Sequence, residues 1–254
     1  MLIGISGKMG SGKNLVCTII QGLTAAKKHN IENPSFEWIK KYYINSIWEQ
    51  KAFAGKLKQT ASLLTGIPVE KFEDQEFKNT QLGEEWWYFQ GRNGSLISYN
   101  KDSKRSDEDL IKLTPRLLLQ IIGTECIRDK VHPNAWVNAL FADYKYEIHR
   151  SEVPTRAAGF IDQHVYPNWI ITDMRFSNEL EAVKSRGGIT IRINRPYTTV
   201  VGGNGIPATF NQNQFHPSET SLDSATFDFV ISNDKDIEHL INEVRKILEK
   251  LNLV

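Results

Sequence analysis

The chain has 254 residues, 40% of them hydrophobic and 24% charged, with a net charge of +1. This length suits one large α/β domain or two small ones, and the mix is that of a soluble globular protein. Balanced charge gives no general field for nucleic acid or a membrane surface, no run reaches the roughly 20 apolar residues of a membrane span, and two widely separated cysteines, Cys17 and Cys126, argue for a reducing, cytoplasmic setting rather than a disulfide framework.

In chain order, Leu2 to Ser6 is a short apolar run, a buried strand candidate. It meets the glycine-rich GKMGSGKN, Gly7 to Asn14, and then a helix with Leu15, Val16, Ile19, Ile20 and Leu23 at helical spacing. Residues 27–46 are a polar, aromatic excursion with a short helix around Trp38 to Tyr43, and Ile47 to Phe53 is a second strand. AGKLKQTASLLTG returns to helical spacing, with Leu57, Ala61 and Leu64 on one face and Gly66 and Pro68 ending it. Asn93-Gly94 between two runs of β-formers signals a hairpin, and KDSKRSDEDL reads as an exposed loop.

LTPRLLLQIIGTECIRD opens with Thr114 as N-cap and Pro115 at the first helical position; apolar nearly all round, it predicts a buried central helix. Residues 134–144 predict another helix, and 147–167 read as irregular. The apolar run before Asp173 is a strand, SNELEAVKSRGG a capped helix stopped by Gly187-Gly188, and ITIRIN a strand. Residues 196–226 lack periodicity and read as a mobile loop; FDFVIS is the last strand, and an amphipathic helix runs from Asp236. Five strands alternating with helices predict a five-stranded parallel sheet with helices on both faces.

GKMGSGKN satisfies G-x-x-x-x-G-K between a strand and a helix, as a phosphate-binding loop requires. Backbone N–H groups would cradle the phosphates, the helix dipole would assist, and Lys13 would reach the terminal phosphates. A plain strand–helix turn holding three glycines and a lysine is the alternative. Asn14 stands where Ser or Thr usually ligates Mg²⁺; its amide oxygen is still a hard neutral ligand, and no guanine signature follows. Asp173 ends a strand where open α/β sheets bind ligands, and Arg175 could fork onto phosphate; the other reading is a helix cap and a surface ion pair. Arg116, Arg128, Arg175 and Arg195 sit at the ends of predicted elements, as phosphoryl transfer between two phosphate chains would need. Trp136 could stack on a base or pack in a core, Cys17 reads as core, and His216 and Glu219 read as solvated surface.

Taken together, GKMGSGKN, FAGKLKQ, TPRLLLQIIGTECIRD, TDMRFSNE, HPSETSLD and FDFVISND resemble the bacteriophage-type deoxynucleoside monophosphate kinases, over most of the chain. The resemblance implies one P-loop kinase domain with an NMP-binding region at about 27–167 and a lid at about 195–226. It implies that ATP, with Mg²⁺, is bound by Gly7, Lys8, Gly10, Ser11, Gly12, Lys13, Asn14 and Leu15, with Asn233 near adenine. Lys58, Arg116 and Arg128 would face the acceptor, Gly123, Thr124 and Trp136 would line its pocket, Asp173 and Arg175 would sit between donor and acceptor, and Glu179 would join them in binding the substrate. Lys13, Asp173, Arg175 and Arg195 would be catalytic, and Asn14 and Asp173 the metal positions. The family usually carries Asp where Asn14 stands.

The implied reaction is dNMP + ATP = dNDP + ADP by direct in-line transfer. Another small-molecule P-loop kinase, for dephospho-coenzyme A or a nucleoside, and a non-catalytic ATP-binding protein remain as alternatives. The partners expected are a dNMP, no nucleic acid and no membrane; an exposed hairpin could serve a homodimer, and a phage-encoded chain would work in the host cytoplasm.

Overall fold

The computed structural model describes residues 1–91, 94–152, 160–196 and 220–254, and these form two compact units: Met1–Phe53 with Val137–Val254, and Ala54–Trp136. The first unit is built on five parallel strands. These are β1 (Leu2–Gly7), β2 (Trp48–Lys51), and the later β8 (Asn168–Met174), β9 (Ile189–Asn194) and β10 (Phe229–Ser232), in the order β10-β9-β1-β8-β2. The alternation of side chains along a strand sorts its residues to two faces. Ile3 and Ile5 of β1 join Ile170, Ile191 and Ile193 beneath α1 (Lys13–Lys28), α2 (Phe36–Tyr42) and the C-terminal helix Ile237–Lys250. Leu2, Trp169, Ile171 and Met174 join Val137, Leu140 and Phe141 on one helix and Leu180 and Val183 on another. Both faces are therefore covered at the centre of the sheet, which is why β1, β8 and β9 read as apolar runs, whereas the edge strand β2 is mostly polar. The five expected strands and their parallel pairing are present.

The expected irregular stretch at 147–167 is in fact an antiparallel pair, β6 (Glu147–Glu152) with β7 (Phe160–Val165). Its polar-rich strands hide the period-2 signal. Residues 153–159 lie outside the described residues, as do 197–219, which hold most of the expected mobile loop, His216 and Glu219.

The second unit has its own core: Ala61, Phe72, Leu82, Leu113, Leu118, Ile122 and Trp136. α3 (Phe53–Thr65) feeds into it, and Leu57 and Ala61 face that core as expected, whereas Leu64 is 60% exposed. The hairpin expected at Asn93-Gly94 is β3 (Trp87–Gln90) with β4 (Leu96–Ser98). A third strand, β5 (Leu110–Lys112), which was not expected, pairs with β3 directly after the expected exposed loop; three residues are too few for a visible alternation. Thr114 caps α4 (Pro115–Gln120) through a 3.2 Å bond from Leu117 N–H, with Pro115 at the first position. The helix then widens into an 11-residue π-helical stretch, Ile121–Val131, and buries only Leu118, Ile122 and Gly123 beside Pro115, not its whole circumference. No helix among the described residues is long and apolar enough to cross a membrane.

Candidate active site

β1 ends at Gly7 and α1 begins at Lys13. Ser11 N–H donates to Lys8 O (3.1 Å) to close the turn between them, and Val16 N–H to Gly12 O (2.9 Å) starts the helix. Gly12 sits at φ +99°, a conformation that L side chains rarely adopt. At Gly7 the constraint is space, since a Cβ would lie 2.7 Å from Ile193 O. The glycines of the motif thus answer to geometry. Lys13 Nζ donates to the carbonyls of Gly7 (2.7 Å) and Lys8 (2.9 Å), which places its ammonium inside the curve of the loop. The Ser11 hydroxyl is buried there and has no hydrogen-bond partner among the described residues.

Two expected residues reach the loop from other strands. Asn233, just past β10, donates through Nδ2 to Ser11 O (2.9 Å), and Arg195, just past β9, donates through Nη1 to Gly10 O (3.3 Å). Leu15 packs into the sheet core. The loop thus stands at the positive end of a 16-residue helix, with the Lys13 ammonium folded onto it and Arg195 bonded to it.

Beside it, Asp173 Oδ1 accepts the Phe53 N–H (2.8 Å). Gln50 Nε2 donates to both Thr172 Oγ1 (3.2 Å) and Asn14 Oδ1 (3.4 Å). Asn14, Thr172 and Asp173 therefore bring an amide, a hydroxyl and a carboxylate oxygen to one end of the sheet. Mg²⁺ takes such hard oxygens, together with phosphate and water, so the donor chemistry fits it. Among the described residues no group of three or more His, Cys, Asp or Glu could hold a metal by itself.

Glu179, expected among the substrate-binding residues, sits in a buried turn. It is 2% exposed and its Oε2 accepts the N–H groups of Arg175 (2.7 Å) and Phe176 (3.0 Å), capping the helix Ser177–Lys184. Its carboxylate fixes the turn that carries half-buried Arg175 rather than facing outward.

The remaining expected residues lie in the second unit. Lys58, its side chain 14% exposed, pairs with Glu73 Oε1 at 2.5 Å. Arg116 is exposed and donates through Nε to Asn79 Oδ1 (2.9 Å). Lys78, which the sequence reading passed over, belongs with them. Burial holds its pKa below the ordinary lysine value, helped by the positive charges of Lys58 and Arg116 and opposed by Glu73 and Asp74. Thr124 and Arg128 are half-buried on the π-helical stretch. Gly123 lies close under Leu57, whose Cδ2 would be 2.8 Å from an added Cβ. Trp136 donates from Nε1 to Gly123 O (2.8 Å) and is only 8% exposed. That is core packing, and it leaves little ring face for a base to stack on.

A model of the family described as deoxynucleotide monophosphate kinase matches residues 1–244. The chain is similar to the putative deoxynucleotide monophosphate kinase of Acanthamoeba polyphaga mimivirus, 24% identical over 245 residues, 96% of this chain and 94% of that protein. It is also similar to the deoxynucleotide monophosphate kinase of Enterobacteria phage T4, 24% identical over 268 residues, 98% of this chain and 99% of that one. The deoxynucleoside-5'-monophosphate kinase of Escherichia phage T5 is 24% identical over 254 residues, 87% of this chain and 85% of its own. With the glycine loop folded at the head of α1 and the match running through nearly the whole chain, this protein belongs to the deoxynucleotide monophosphate kinase family.

Proposed function

We propose that the chain is an enzyme that transfers the γ-phosphoryl group of ATP directly to a deoxynucleoside monophosphate, giving ADP and the diphosphate. The observation that carries this reading is the Lys13 ammonium held inside a glycine loop at the N-terminus of α1. The acceptor class follows the names of the relatives.

Phosphoryl transfer asks little covalent chemistry of the protein; positioning and charge suffice. Backbone N–H groups from Gly7 to Leu15 and the Lys13 ammonium hold the donor phosphates. Asn233 braces the loop at Ser11 and lies on the adenine side. Arg175 and Arg195 place guanidinium forks where charge develops on the transferring group. Asp173 orients the reacting groups. Asn14 and Asp173 would hold Mg²⁺, which when bound neutralises charge between the phosphates. Lys58, Arg116 and Arg128 hold the acceptor phosphate, with Gly123 and Thr124 lining its pocket. The acceptor region spans about 27–167, and the expected lid lies mostly outside the described residues.

Incubation with ATP, Mg²⁺ and each dNMP or NMP in turn, with diphosphates as the readout, tests this reading. Formation of dNDPs is the expected result. Phosphorylation of nucleosides or dephospho-coenzyme A alone, or ATP binding without any transfer, would overturn it.

A further inference from the structure

Asp223 ends the HPSETSLD stretch, a motif that neither the phosphate loop nor the sheet explains. Its backbone is held in place. Leu222 is 2% exposed in the core, Asp223 N–H donates to Thr220 O (3.0 Å), and Ala225 N–H to Leu222 O (3.2 Å). The carboxylate then meets two cations at once. Its Oδ1 accepts from Arg192 Nη2 at 2.7 Å, and its Oδ2 pairs with Lys8 Nζ at 3.3 Å.

The two cations differ in freedom. The Arg192 side chain is 11% exposed, lies on β9, and donates through Nη1 to Ser6 Oγ (3.0 Å) near the end of β1. It is a fixed strut. Lys8 is a residue of the phosphate loop, and its backbone is already tied down: its carbonyl accepts from both Ser11 N–H and Lys13 Nζ. Only its flexible four-carbon stem is left to order, and Asp223 orders it. With the pair about 40% exposed on each side, its worth to folding is small. Its consequence is where the Lys8 charge sits. Lys8, Lys13, Arg192 and Arg195 crowd one loop, and a carboxylate between two of them relieves their repulsion while leaving the set net positive.

We propose that Asp223 is a positioning residue for the donor nucleotide: braced by Arg192, it holds the Lys8 ammonium at the phosphate loop so that the phosphates meet a cation already in place. This rests on the reading of the loop as the ATP site.

The test is calorimetric ATP affinity without acceptor, followed by KM and kcat for ATP and for dNMP, in wild type, Asp223→Asn, Asp223→Glu, Lys8→Met and the double variant Asp223→Asn/Lys8→Met. Asn keeps an oxygen for Arg192 but loses the charge that holds Lys8. Asp223→Asn is expected to weaken ATP binding about three- to tenfold, the scale of one partly exposed charge pair. The KM for dNMP stays within twofold, Asp223→Glu restores most of the affinity, and Asp223→Asn adds no loss in the Lys8→Met background. An equal loss in both backgrounds with a lowered Tm shows a merely structural role and overturns the proposal. So does wild-type ATP affinity in Lys8→Met, a readout that survives even if Asp223→Asn does not fold. Wild-type protein that binds ATP but forms no dNDP sinks the kinase reading while leaving the binding arm to decide Asp223; wild-type protein that binds no ATP sinks both.

Discussion

At the scale of single residues, position outweighs composition. Lys13 is one lysine among many, but it alone follows Gly12 in the turn and folds its ammonium onto the loop carbonyls. Lys13→Ala should lower kcat/KM for dNDP formation about 100- to 1000-fold, the usual cost of one preorganised charge at the reacting group, with little change in Tm. Unchanged turnover would remove Lys13 from the mechanism. Asn14 makes a different prediction. Its amide oxygen already takes a 3.4 Å bond from Gln50 and carries no charge. If the loop holds ATP as proposed, Asn14→Asp would add a charged hard ligand at the proposed metal position, so half-saturation of activity should come at lower Mg²⁺. A titration curve that does not move would show that the phosphates and water carry the metal without this side chain. Ser11, Gly12 and Lys13 were legible from sequence because the motif is local. Asp223 and Arg192 were not, since their partners lie far away in the chain.

At the scale of elements, side-chain hydrogen bonds decide how the ends of helices are used. Glu179 gives one carboxylate oxygen to two backbone N–H groups at the head of the helix Ser177–Lys184. Glu179→Ala leaves both donors buried without that acceptor and should cost about 1–3 kcal/mol, seen as a lower urea midpoint. Trp136 offers a cleaner separation of roles. If its work is to satisfy the Gly123 carbonyl, Trp136→Phe should destabilise by about 1–3 kcal/mol yet leave the KM for dNMP within twofold. A large rise in that KM with unchanged stability would restore the stacking role. The sequence signalled Thr114 and Pro115 as a helix start because capping is a short-range event. It did not signal β5 or the β6–β7 pair, because those strands are short or polar and are made by pairing rather than by their own pattern.

At the scale of the whole molecule, buried Cys17 and exposed, hydrogen-bonded Asp228 both shape how stability follows pH. Burial pushes the Cys17 thiol up to about 12. The folded protein therefore holds that proton more tightly than the unfolded chain does. The stabilisation is complete below the unfolded thiol pKa and is lost as pH rises towards about 12. Near neutral pH a thiol reagent should label exposed Cys126 and not Cys17, with the second equivalent reacting only in denaturant. Two fast equivalents in the native state would contradict the core placement. Asp228 behaves oppositely. Burial alone would raise its pKa, but hydrogen bonds from the Thr190 hydroxyl (2.6 Å) and N–H (2.8 Å) outweigh this and hold it below the ordinary carboxylate value. Its contribution is present above the unfolded carboxylate pKa and fades as pH falls through the folded one. Asp228→Asn should flatten the acid limb of the stability curve.

By itself the sequence determined the five strands of the main sheet, the helices between them, the glycine loop and the family, because each is written in residues close together or in a pattern a dozen residues long. Only the tertiary structure decided which side chains share a charge or a hydrogen bond across the chain: Asp223 with Lys8, Asn233 with Ser11, Trp136 with Gly123, Glu73 with Lys58. Such pairs depend on strand order and on the course of the loops. Long-range contacts of this kind leave no period in the sequence to read.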